Sequence, residues 1–300
     1  MRIAVIGAGG IGAIYGAALA KAGSEVVFVA RGRHLEAMRQ RGLRIEGDRG
    51  ETVVRPTQAT DNIAEIGPVD YVLFCVKLWD VESAGAQLRP LVAPETAVIP
   101  LQNGVDAHER LIPILGRDAV MGGTAFVTGS IVAPGTVRQT GSYCQMTFGE
   151  LDGSLSRRGE RLRQACAEAG IEGILSPDVL VPLANVNGVS RRPLGEYRAD
   201  PDLWAMVEAA LHETAAVGRA EGIRLATDAE EQVLDRIRSM PDHHMTSMTN
   251  DLLRGNRLEL PWFAGKVVEL GRKHGIPTPV NGFAYAALKL YANGPPASSA

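Results

Sequence analysis

The sequence holds little of what would direct a chain into a membrane, an oxidising compartment or a nucleic-acid groove. Three cysteines, Cys75, Cys144 and Cys166, stand among 300 residues. The count is odd and the spacing is not that of metal ligands, so no disulfide framework or metal site is expected and a reducing cytoplasm fits. Aromatic residues make up 5% of the chain, too few to build a stacking surface for single-stranded nucleic acid. No apolar run approaches the ~18 residues that a membrane-spanning helix needs. Acidic and basic side chains nearly cancel, to a formal charge of −3, which removes any global attraction to nucleic acid or anionic lipid. Lysine is scarce as well: Lys21, Lys77, Lys266, Lys273 and Lys289 are all there are.

What remains is the composition of a soluble globular protein, 45% hydrophobic and 22% charged, long enough for two ordinary domains or one large one. Its most informative stretch is the first. Ile3 to Ile6 is a short apolar run that reads as a buried parallel strand. Gly7-x-Gly9-x-x-Gly12 follows, then a helical stretch from Ala13 to Ala22 and a second strand at Glu25 to Ala30. In that order Gly7 turns the chain, Gly9 lets a diphosphate approach bare backbone, and Gly12 lets helix and strand pack closely. Gly10 belongs to the same loop. The phosphates would lie on the helix N-terminus, facing unpaired N–H groups and the positive dipole end. A secretory leader is the competing reading, because Arg2, the apolar run and the small residues Ala17 to Ala22 imitate one. The five glycines within the first sixteen residues make a poor leader helix.

The residue after the second strand selects the dinucleotide. An acidic side chain about twenty positions beyond the last glycine holds the ribose 2′-hydroxyl of NAD, whereas an arginine accommodates the 2′-phosphate of NADP. Arg31 stands nineteen residues after Gly12, and no Asp or Glu occurs between Glu25 and Glu36. The planar guanidinium suits a phosphate dianion, so NADP is the expected cofactor. Arg39, Arg41, Arg44 and Arg49 continue the basic stretch without interleaved aromatics and read as a solvated face.

Leu43 to Glu46 and Thr52 to Pro56 read as a small hairpin about the Gly47-Asp48-Arg49-Gly50 turn. Asp70 to Val76 is nearly all apolar, as in a strand covered on both faces, and leads into Lys77. Val81 to Leu91 reads as helix, and Thr96 to Leu101 as a strand ending in Gln102-Asn103-Gly104. Open α/β sheets bind ligands at the carboxyl ends of their strands. Lys77 there offers a cation to phosphate or substrate, or is an ordinary surface lysine; Asn103 offers an amide that both donates and accepts. Val120 to Thr128, Gly135 to Thr140 and Tyr143 to Glu150 are expected as antiparallel strands finishing the sheet, with an amphipathic helix from Leu155 to Ala169. Beyond these the patterning is helical, at Asp202 to Glu221, Thr227 to Met240, Pro261 to His274 and Gly282 to Tyr291. The expected organisation is a dinucleotide-binding α/β domain over residues 1–173, a helical domain over 174–293 and a frayed tail over 294–300, with nicotinamide and substrate held in a cleft.

With these residues in place, the chain resembles the ketopantoate reductase family (2-dehydropantoate 2-reductase) over nearly its whole length. The resemblance rests on the Gly7-Gly9-Gly12 loop with Arg31, on Val76-Lys77, and on Leu101-Gln102-Asn103-Gly104. It extends to Ser247-Met-Thr-Asn-Asp251 with Gly255 and Glu259, to Gly265, and to Gly275-Ile-Pro-Thr-Pro279-Val-Asn281. It implies an α/β Rossmann-type N-terminal domain followed by an all-helical C-terminal domain. NADPH would reduce a small 2-keto acid, ketopantoate to pantoate, in pantothenate biosynthesis. The resemblance makes Glu259 a catalytic group engaging the substrate hydroxyl and the reactive end of the cofactor. It makes Asn103 a contact near the nicotinamide, Ser247 a contact to the substrate carboxylate, and Asn185 and Asn187 substrate-contacting asparagines. Without the resemblance, Glu259 lies two residues before Pro261 at a helix start, where a carboxylate also serves the N-terminal dipole.

One feature departs from the family pattern. Family members carry a lysine early in the helical domain that protonates the nascent alkoxide, yet Ser176 to Pro193 holds neither lysine nor tryptophan. Lys77, His243, His244 or a bound water is then the expected proton source; Arg191 and Arg192 do not release a proton near neutral pH. The missing lysine leaves two alternatives open: a weak or silent NADP-binding sensor of the same fold, and a dehydrogenase for a different 2-keto or hydroxy acid. The expected partner is a small-molecule substrate, with no nucleic acid and no membrane. The oligomeric state stays open, a homodimer included.

Overall fold

The computed structural model describes residues 1–48, 50–55, 58–102, 106–175, 187–223 and 225–295. The chain divides into two compact units, Met1–Leu180 and Val181–Ala300.

In the first unit, β1 (Arg2–Ile6) leads through α1 (Gly10–Lys21) to β2 (Glu25–Val29). After α2 (Gly32–Arg41) the chain makes β3 (Leu43–Gly47) and β4 (Thr52–Val54), then β5 (Gln58–Thr60) on the far side of β2. It then crosses to the other flank of β1 with β6 (Tyr71–Phe74), α3 (Val81–Gly85) and β7 (Ala97–Pro100). The resulting sheet, β5-β2-β1-β6-β7, is parallel throughout. Its central strands are continuously apolar because both faces are covered: Ile3, Val5, Phe28, Val72 and Leu73 are fully buried. Strand addition reverses direction between β1 and β6, and the carboxyl ends of that pair define the crevice where such sheets take ligands.

After α4 (Ala107–Leu115) comes a long antiparallel hairpin, β8 (Met121–Ala133) and β9 (Thr136–Glu150), followed by α5 (Arg157–Glu168) and β10 (Glu172–Leu175). These strands do not finish the parallel sheet, as their pattern had suggested. They build a second one, β10-β9-β3-β4, with β8 on β9. The predicted β3–β4 hairpin forms, but joins this second sheet by pairing β3 with β9.

The reason for a second sheet lies in α1, which buries Gly12, Ala13, Ile14, Tyr15, Gly16, Ala17 and Leu19. A helix that is apolar all round needs cover all round. One side lies on the parallel sheet, where a Cβ on Gly16 would stand 2.5 Å from the Phe28 ring. The other meets β9, where Tyr15 donates its hydroxyl to the Gln145 carbonyl at 2.5 Å. The helix expected over Val81 to Leu91 is shorter: after α3 the Gln87 and Leu88 N–H groups bond three residues back, to Ala84 and Gly85, and Pro90, with no N–H, lies in a 3-10 turn at Arg89–Leu91.

The second unit is helical: α6 (Asn187–Ser190), α7 (Leu194–Ala199), α8 (Pro201–Ala220), α9 (Ala229–Ser239), α10 (Ser247–Leu253), α11 (Ala264–His274) and α12 (Pro279–Leu288). Leu194, Tyr197, Val207, Ala210, Leu211 and Leu234 form a core cluster around α8. Glu213 of α8 closes the start of α12. Its carboxylate accepts from the N–H groups of Val280 (2.8 Å) and Asn281 (3.0 Å) and from the Asn281 side-chain amide (2.7 Å). Among the described residues no helix is long and apolar enough to cross a membrane.

Candidate active site

β1 stops at Gly7, whose φ of +94° suits glycine alone; a Cβ there would also stand 2.9 Å from the Cys75 carbonyl oxygen. The N–H groups of Gly7 and Ala8 both donate to the Val29 carbonyl, at 3.2 and 3.0 Å, tying the loop to the end of β2. Gly9 is the N-cap of α1. It supplies no side-chain cap, and the first helical turn carries no acidic residue. The Gly9 carbonyl accepts from Ala13 at 3.0 Å, and the earlier N–H groups are the orphan donors of any helix start. A Cβ built on Gly9 meets nothing within 4 Å. Bare amides, open space and no competing carboxylate fit a diphosphate. Gly12 serves packing, since its Cβ would lie 2.4 Å from the Gly7 carbonyl oxygen and 2.8 Å from Val5. Gly10 has a task that no local pattern announces: its Cβ would fall 2.0 Å from the Gly129 carbonyl oxygen of β8, so hairpin and loop meet backbone to backbone.

Arg31 directly precedes α2 as its N-cap. Arg31 and Arg33 are exposed, and among the described residues neither side chain has a hydrogen-bond or ion-pair partner. The arginines that follow differ. Arg39 donates to the Ala59 carbonyl, Arg41 to that of Pro134 and Arg44 to Glu51, so this stretch braces its neighbours as well as facing solvent. Arg49 lies outside the described residues. Between the two groups, the His34 ring lies against the loop, with Nε2 2.9 Å from the Ala8 carbonyl oxygen and Nδ1 accepting from Gly135 N–H at 3.0 Å. Burial lowers its pKa, against a smaller upward pull from the Ala8 carbonyl.

On the β6 side, Cys75 N–H donates to the Ile6 carbonyl at 2.8 Å, and Asp80 N–H to that of Lys77 at 2.9 Å. Lys77 Nζ lies 5.6 Å from the centroid of the Trp79 ring, within cation–π range. Arg110 of α4 holds the segment, donating to the Leu78 carbonyl at 2.7 Å and to both Glu82 carboxylate oxygens at 2.6 and 2.7 Å. That guanidinium keeps the Glu82 carboxyl below its ordinary range. Burial pushes the Cys75 thiol up to about 12, so it stays protonated and unreactive. Beyond β7, Gln102 is buried, and among the described residues neither of its polar side-chain atoms is hydrogen-bonded; Asn103 lies outside the described residues. The parallel sheet thus gathers Gly7, Gly9, Gly10, Gly12, Arg31 and Lys77 at the carboxyl ends of β1, β2 and β6.

In the helical unit Glu259 is 6% exposed. Its carbonyl accepts from Trp262 and Phe263 at 3.0 and 3.2 Å, at the head of the 3-10 turn Leu260–Trp262. Exposed Ser247 opens α10, whose N-cap Thr246 accepts from Thr249 N–H at 3.3 Å. His243 is exposed. His244 is half-buried, with its pKa lowered first by burial and then by His243. Asn185 lies outside the described residues, as do the Asn187 side chain and the segment 176–186. Lys266 pairs with Glu269 and Lys273 with Glu221, at 2.8 and 2.7 Å. Among the described residues no three His, Cys, Asp or Glu side chains are grouped to hold a metal ion.

Similarity to known proteins agrees with this geometry. Residues 3–153 match the ketopantoate reductase PanE/ApbA family, and residues 179–292 its C-terminal part. An uncharacterized oxidoreductase, YkpB, of Bacillus subtilis is 26% identical over 301 residues, covering 97% of this chain and 99% of its own length. A 2-dehydropantoate 2-reductase of Archaeoglobus fulgidus is 30% identical, covering 93% and 94%. The crystal structure of a PanE/ApbA family ketopantoate reductase from Ralstonia eutropha JMP134 superposes with a TM-score of 0.85 at 30% identity, covering 97% and 98%. The chain belongs to the ketopantoate reductase PanE/ApbA family, and is an NADP-dependent oxidoreductase of the class that acts on 2-keto and 2-hydroxy acids.

Proposed function

We propose that this protein uses NADPH to reduce a small 2-keto acid, ketopantoate in the first instance, to the 2-hydroxy acid. The observation that carries the reading is the open start of α1, which has neither side-chain cap nor acidic residue, next to an Arg31 without a partner among the described residues. A diphosphate and a 2′-phosphate complete both. The family supplies the substrate class.

Reduction of a keto group adds a hydride to carbon and a proton to oxygen, the π pair becoming the new O–H bond. The nicotinamide, when bound, supplies the hydride. This chain must hold the substrate and deliver the proton. We assign the proton to Lys77 Nζ, an ammonium beyond the carboxyl end of β6 whose segment is held by Arg110. Glu259 is assigned to the substrate hydroxyl and Ser247 to its carboxylate, with Asn103 near the nicotinamide and Asn185 and Asn187 as further polar contacts.

The test is NADPH oxidation with ketopantoate and a panel of 2-keto acids. Turnover favouring ketopantoate supports the proposal. Efficient turnover of another 2-keto acid but not ketopantoate would replace the substrate. Tight NADPH binding with no turnover of any would favour a silent sensor. Lys77→Ala should lower kcat by about 10²–10⁴-fold, the usual worth of a general acid, while NADPH binding largely persists; unchanged turnover would remove Lys77 from its role.

A further inference from the structure

We propose that His34 is a positioning residue for the diphosphate loop. Its ring pins the Ala8–Gly9 peptide in the orientation that binds phosphate and links it to the β8–β9 hairpin. The proposal rests on the reading of that loop as a dinucleotide site.

The tautomer follows from the partners. Gly135 N–H can only donate, so the Nδ1 it reaches at 3.0 Å is bare. The ring proton is therefore on Nε2, which donates to the Ala8 carbonyl at 2.9 Å. That carbonyl shares a planar trans peptide with Gly9 N–H, and the two point in opposite directions. Holding the oxygen on His34 therefore turns Gly9 N–H away from the histidine. A peptide followed by glycine flips easily, because glycine accepts φ of either sign. Flipped, it would aim a carbonyl dipole where an anion should lie. The Gly7 and Ala8 N–H groups are already bound to Val29, and β2 has no hold on the next peptide. His34 supplies that hold.

The second ring nitrogen reaches the turn of the hairpin at Gly135. The hairpin also touches the loop directly, where Gly10 and Gly129 pack backbone to backbone. The second sheet is thus a back wall for the phosphate loop, with His34 as its hydrogen-bonded tie.

The test compares His34→Ala and His34→Gln with the unsubstituted chain by calorimetric titration with NADPH. His34→Ala removes both ring hydrogen bonds, and loss of the one to the phosphate loop should raise the NADPH Kd about tenfold, with kcat at saturating NADPH within about twofold because the chemistry is untouched. The glutamine amide also carries both a donor group and an acceptor, so His34→Gln should recover most of the affinity. Unchanged Kd in His34→Ala, or equal loss in both variants, would overturn the proposal. Should His34→Ala fail to fold, ring ¹⁵N NMR of the unsubstituted chain decides: a protonated Nε2 and bare Nδ1 support the tie, and a proton on Nδ1 refutes it. An unsubstituted chain that binds no NADPH would instead remove the dinucleotide reading and this proposal with it.

Discussion

Helices α1 and α12 begin in opposite ways. Each leaves N–H groups without intrahelical acceptors. At α12 the Glu213 carboxylate accepts three hydrogen bonds and closes the end from within the protein. At α1 a glycine stands at the cap, no acid occupies the first turn, and the space before Gly9 is open. One end is completed by the fold; the other is left for an anion. On the proposed reading, the same backbone chemistry serves stability in one place and binding in the other, and the occupant tells them apart.

The largest effect should come from closing α1 artificially. Gly9→Asp is sterically allowed, since its φ of −81° suits any residue and nothing stands within 4 Å of the new Cβ. Aspartate is also a good N-cap. Thermal stability should hold or rise, while a fixed negative charge against the diphosphate should weaken NADPH binding by about 100-fold or more. Unaltered affinity would erase the contrast between the two helices. Opening α12 is the converse. Glu213→Ala strips three bonds and leaves the Asn281 amide, 3% exposed as a residue, with the Ala210 carbonyl alone. Urea denaturation should show a loss of about 2–4 kcal/mol, in the range for charge-assisted bonds and stranded buried donors. A smaller change, about tenfold, is expected for Arg31→Ala: a weaker NADPH Kd with NADH binding unchanged, because only the 2′-phosphate loses its partner. Equal weakening of both dinucleotides would move the 2′-phosphate contact elsewhere.

Much of this contrast was legible in the sequence, but unevenly. Gly7, Gly9 and Gly12 are read from one another because their geometry is local: strand, turn and helix follow within a dozen residues. The apolar run ahead of Lys77 is legible for the same reason, as a strand covered on both faces needs no polar alternation. The second sheet was misplaced because β-patterning reports that strands exist and not which sheet they join. What decides it is the all-round burial of α1, a property of the packed helix. His34 carries no signal in the sequence, since nothing near it announces a bond to Ala8, 26 residues away, or to Gly135, 101 residues away. Gly10 looked like one more loop glycine, although its neighbour is Gly129. Glu213 was invisible as a cap because it comes from another helix, 67 residues before Val280.

The most direct test of the central claim, that the open start of α1 and Arg31 together bind a 2′-phosphorylated dinucleotide, is calorimetric titration of the purified, folded protein with NADPH and with NADH. The account predicts saturable binding of NADPH, about tenfold or more tighter than that of NADH. No heat from either dinucleotide, or a preference for NADH, would contradict it.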